Sequence, residues 1–182
     1  MRGLHLGRVF GIPVQLNWTF LLILPIFAWI IGSDIVRLTE LVNNILGSAI
    51  AADPLTAGLT PWLLGTAAAG GLFAGVLLHE FGHSLVAMRY DVEIDSITLW
   101  LLGGVGVGVV AFVAFQLLPT ALDPVRFVVG YLALMNVGLA VFNMLPGFPM
   151  DGGRVLRALL ARNRPHARAT QLASEVGKTF AF

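Results

Sequence analysis

Residues 61–88 read PWLLGTAAAGGLFAGVLLHEFGHSLVAM, and no charged side chain interrupts them before Glu80. A helix crosses the hydrocarbon core of a bilayer with about 20 apolar residues, so this run predicts a membrane span. Its first half is rich in Gly and Ala, which in membranes mark close helix–helix packing; the span therefore belongs at the centre of a bundle. Further apolar runs at 16–32, 103–118 and 124–145 supply its neighbours. Trp18 and Trp29 stand near the two ends of the first of these, as interfacial aromatics do. Its Pro25 is tolerated where adjacent helices satisfy the freed carbonyl. Composition agrees. Over 182 residues, 57% are hydrophobic and only 12% charged, with a mean hydropathy of +0.86. A chain of this kind cannot cover itself with a polar surface. The fold class expected is mainly α, a polytopic membrane helical bundle forming one domain over 1–182.

Inside that apolar run sit His79, Glu80 and His83. Residues four apart share a helix face, so His79 and His83 can ligate one metal ion. Glu80 lies about 100° round the helix, beside that ion, within reach of a bound water. H-E-x-x-H on a helix is the zinc-hydrolase pattern. Three ionisable side chains in apolar surroundings are costly without a task, and this outweighs reading them as incidental core residues. The chain has no cysteine, which excludes disulfides, thiolate metal sites and cysteine nucleophiles.

The remaining segments are less apolar. Residues 1–15, with glycines and Pro13 as punctuation, predict a small hairpin or extended strand region. Residues 33–60 carry Asp34, Arg37, Glu40 and Asp53 among apolar positions, the pattern of a short amphipathic helix at the membrane surface. In 91–99, DVEIDSITL, acidic and apolar residues alternate. That predicts a membrane-associated strand with one polar face, its acids protecting a solvated edge. Residues 154–182 hold six of the eleven Lys and Arg, a basic segment suited to an anionic membrane face. A net charge of +1 and the lack of a basic stripe with interleaved aromatics point away from nucleic acid. His5 and His166 lie in polar segments and are given no metal role.

Charge orients the bundle. With Arg2 and Arg8 cytoplasmic, Arg37 and Arg126 alone among the basic residues fall outside, in keeping with the positive-inside tendency. The two histidines then lie near the cytoplasmic end of the second span. The segment after Val141, NMLPGFPMDGGR, reaches the same depth. Its glycines and prolines make irregular backbone, tolerated at membrane depth only inside protein or along a cavity. A catalytic zinc site takes three protein ligands and an open position. Asp151 is the carboxylate at hand for the third; capping the following helix is its other reading. Asn143 can donate to a developing oxyanion or tie down the loop.

HEFGH in a transmembrane helix followed by NMLPGFPMDGGRV resembles the site-2 protease family of intramembrane zinc metalloproteases. FGIPVQLNWTFLL and ITLWLLGG are also similar to its prokaryotic members. The resemblance covers most of the chain. It implies a multi-pass protein of a prokaryotic cell membrane, with N-terminus and active-site face cytoplasmic. It implies an endopeptidase with one catalytic Zn2+ that cleaves in or near transmembrane segments of other proteins. It also implies metal ligands at His79, His83 and Asp151, a catalytic Glu80, and an Asn143 that assists the transition state.

The sequence departs from the family in two places. Apolar residues begin directly after Gly103-Gly104-Val105, where relatives carry a polar segment. SEVGKTFAF at the end reads as the start of a further helix, so a catalytic core truncated at the C-terminus is expected. Two other functions compete: a metal transporter or sensor using the same ligands without hydrolysis, and an inactive module that binds membrane partners.

Overall fold

The computed structural model describes residues 4–9, 12–16, 18–89, 101–146 and 151–179. The strand expected at 91–99 lies outside the described residues. What is described is mainly helical, with one small hairpin: strand β1 (Leu4–Val9) pairs antiparallel with β2 (Ile12–Leu16). The register slips between His5 and Gly7, where a bulge re-aims the strand.

The helices follow in order. They are α1 (Trp18–Ser33), α2 (Ile35–Leu46), α3 (Asp53–Thr56), α4 (Thr60–Arg89), α5 (Leu101–Leu117), α6 (Asp123–Asn143), α7 (Asp151–Ala161) and α8 (His166–Thr179). Among the described residues two stretches are long and apolar enough to cross a membrane: Thr60–His79 in α4 and Thr120–Asn143, which is a 3-10 turn leading into α6. The described apolar parts of α1 and α5 are shorter, Leu22–Ser33 and Gly106–Leu117. The first run continues into α2 across a 75° bend at Asp34, so residues 22–46 make either one broken span or a re-entrant pair.

The described chain divides into two compact units. The first comprises residues 1–75 and 108–135. Its core gathers Ala28, Ile31, Ile35, Val42, Phe115 and Phe127, each buried. The small residues of α4 lie at a close crossing with α1: a Cβ on Gly65 would stand 2.3 Å from the Ala28 carbonyl oxygen. On α2, Ile35, Thr39 and Val42 form the buried face, and the Thr39 hydroxyl donates to the Ile35 carbonyl at 2.7 Å. That helix ends at Gly47, whose φ of 63° favours glycine. The loop beyond is tied by Asn43: its amide donates to the Ile50 carbonyl, and its Oδ1 accepts from Ile50 N–H and the Ser48 hydroxyl.

A polar node opens α6 in the same unit. Asp123 Oδ2 accepts the Ala51 N–H at 3.1 Å, and Asp123 Oδ1 accepts from Arg126 at 3.3 Å. The Arg126 guanidinium lies 5.0 Å from the centre of the Phe115 ring, a cation–π contact. Around this core the outer faces stay apolar. Leu22, Trp29, Leu63, Val110 and Leu117 are each more than 60% exposed, far more greasy surface than a water-soluble unit presents. A bilayer covers it.

The second unit comprises residues 76–107 and 136–182. It holds the C-terminal part of α4, the last turns of α6, and the pair α7 and α8, which pack on each other. α8 buries Ala169, Ala173 and Gly177 at four-residue intervals. Arg162, Arg164, His166 and Arg168 are exposed around the turn that joins the pair.

Candidate metal centre

α4 is unbroken from Thr60 to Arg89, so its backbone sets His83 one turn beyond His79, with Glu80 between them. The side chains of Glu80 and His83 lie outside the described atoms. The apolar stretch described in α4, Thr60–His79, includes His79, and Asn143 ends the stretch Thr120–Asn143.

Asn143 is the last residue of α6 and is half-buried. The chain then turns: Met144 N–H bonds to the Ala140 and Val141 carbonyls, and Leu145 N–H to that of Phe142. Asp151 opens α7.

His79 and Asp151 come together. His79 Nε2 lies 3.3 Å from Asp151 Oδ2 across 72 residues of sequence, with the two side chains 13% and 20% exposed. Such a pair makes a hydrogen bond by itself. The spacing also fits shared coordination: a nitrogen and an oxygen each about 2.0–2.2 Å from a tetrahedral zinc stand about 3.3–3.5 Å from one another. Imidazole and carboxylate are suitable zinc donors, so the residues present fit the ion. Among the described residues no third His, Asp or Glu joins them. His166 is exposed at the start of α8.

Comparison with known proteins bears on the same residues. The profile of peptidase family M50 matches residues 105–182, which include Asn143 and Asp151. Zinc metalloprotease MJ0392 of Methanocaldococcus jannaschii is 31% identical over 205 residues, covering 99% of this chain and 52% of the relative. Two relatives whose names assign that activity provisionally are each 32% identical over 99% of this chain. They are sll0528 of Synechocystis sp., 50% covered, and Rip3 of Mycobacterium tuberculosis, 49% covered. Residues 105–182 thus match peptidase family M50, the site-2 protease family, and nearly the whole chain is similar to these relatives. No solved structure gives a significant match.

The chain spans about half the length of the curated relatives it matches. The aligned stretch of 205 residues also exceeds the 182 residues of this chain, so these relatives carry internal residues without a counterpart here.

One residue of the centre escapes a reading by residue chemistry. Gly152, next to Asp151, is buried, and a Cβ on it would stand 2.2 Å from the Met144 carbonyl oxygen and 2.3 Å from that of Leu145. The Gly-Gly pair after Asp151 was its only signal, and by itself that reads as an ordinary helix start.

Proposed function

We propose that this chain is the catalytic part of an intramembrane zinc endopeptidase that hydrolyses peptide bonds in or near transmembrane segments of other membrane proteins. The observation that carries the reading is the 3.3 Å approach of His79 Nε2 to Asp151 Oδ2. It joins the H-E-x-x-H helix to the Asn143–Asp151 segment in a metal-compatible spacing. The match of residues 105–182 to peptidase family M50 and the names of the relatives support the chemistry.

On this reading His79, His83 and Asp151 hold one zinc ion. When bound, the ion supplies Lewis acidity, activating a water and polarising the scissile carbonyl. Glu80 takes the proton from the attacking water as general base and returns it to the leaving amine as general acid. The Asn143 amide donates to the oxyanion of the tetrahedral intermediate. Apolar faces of the spans keep bulk water out, and the site lies at the cytoplasmic ends of α4 and α6, where water can enter.

The test is Glu80→Gln in the purified chain, with a membrane protein substrate in detergent or vesicles. Retained zinc with cleavage lowered about 10²–10⁴-fold supports the protease. Zinc transport needs no general base. Zinc bound by wild type and Glu80→Gln alike, with no cleavage by either, would therefore favour the transport or sensing reading; unchanged cleavage in Glu80→Gln would remove Glu80 as the general base.

A further inference from the structure

We infer that Gly152 is a positioning residue for the metal centre: its missing Cβ lets α7 begin against the Met144 and Leu145 carbonyls, which holds Asp151 at His79. The inference rests on the reading of His79 and Asp151 as ligands.

The conformation of Gly152 does not explain the glycine. It is the second residue of α7, and among the described residues the glycines with positive φ are Gly47 and Gly58. In a helix alanine is the better residue, so a glycine here answers to its surroundings. Those surroundings are backbone: a Cβ would meet Met144 O at 2.2 Å, Leu145 O at 2.3 Å and the Met144 carbonyl carbon at 2.5 Å. No rotamer can relieve contacts with main-chain atoms. The two carbonyls are themselves anchored, since Met144 and Leu145 bond back to Ala140, Val141 and Phe142 in the last turns of α6.

The contact therefore fixes the start of α7 against the end of α6. It sets Asp151 on one side and Asn143 on the other, the two site residues contributed by this segment. An added methyl must push the two helix ends apart by more than about 1 Å to reach ordinary contact distance, and a displacement of that size is felt strongly in a preorganised site. Two helical glycines serve as controls, Gly70 in α4 and Gly138 in α6, where a Cβ would meet nothing within 4 Å.

The experiment is a zinc titration of the purified full chain against a competing chelator, on wild type, Gly152→Ala, Gly138→Ala, His79→Ala and Asp151→Glu/Gly152→Ala. Gly152→Ala should bind zinc at least tenfold more weakly, while Gly138→Ala stays within twofold of wild type. The longer carboxylate of the double variant should recover part of the loss, which a merely destabilised fold would not. Wild-type affinity in Gly152→Ala alongside loss in His79→Ala would overturn the inference alone. A wild type that binds no zinc, or His79→Ala that binds as wild type does, would overturn the metal reading and the inference with it. If Gly152→Ala does not purify folded, hydrogen–deuterium exchange on the zinc-free wild type decides. Slow exchange across residues 151–158 before zinc is added supports positioning by the fold; protection that arrives only with zinc contradicts it.

Discussion

His79 Nε2 and Asp151 Oδ2 lie 3.3 Å apart, one on a long apolar helix and the other on the first residue of an amphipathic one. Neither position is informative alone. Together they join the two polar motifs of an otherwise apolar chain, and each prediction about the chemistry depends on that approach.

Metal removal comes first. Ligands that bind zinc must be deprotonated, and binding stabilises the folded state by mass action. Treatment with a strong chelator should abolish cleavage and lower the melting temperature in detergent, and one equivalent of zinc should restore both. His83→Ala should lose that zinc-dependent rise in melting temperature.

Asn143→Ala separates catalysis from metal binding. If the amide donates to the oxyanion, kcat should fall about 10²–10³-fold, with zinc content and KM little changed. A parallel loss of zinc would instead assign Asn143 to holding the loop.

The crossing of α1 and α4 predicts an asymmetry between two glycines of one helix. A methyl at Gly65 meets the Ala28 backbone, and one at Gly70 meets open space. Gly65→Ala should destabilise by about 1–3 kcal/mol. Gly70→Ala should be neutral or stabilising by up to about 1 kcal/mol. Thermal unfolding in one detergent compares them directly.

The node at the start of α6 gives a double-mutant cycle. Asp123→Ala releases the Ala51 N–H and leaves the mostly buried Arg126 without its carboxylate, at a cost of about 1–3 kcal/mol. Asp123→Ala/Arg126→Met removes the stranded charge and should be less destabilised than Asp123→Ala alone. Equal losses would mean that Arg126 is held chiefly by Phe115.

Much of this architecture was legible because a bilayer leaves few choices. Long uncharged runs must be helices there, and α4 and α6 stand within two residues of the 61–88 and 124–145 read from hydropathy. The approach of His79 to Asp151 is in line with the expectation that the segment after Val141 lies at the depth of the histidines. The 75° bend at Asp34 falls where the apolar run 16–32 gives way to the more polar 33–60, but its angle answers to the packing of Ile31, Ile35 and Val42, which local pattern does not carry. The close approach at Gly152 was illegible for a similar reason. A glycine required by two distant carbonyls looks, in sequence, like any helix start.

The measurement that tests the central claim most directly is elemental zinc analysis of the purified chain beside Asp151→Ala. One zinc per wild-type chain and a large loss in Asp151→Ala is the predicted result. Equal zinc in both would remove Asp151 from the ligand set and contradict the account.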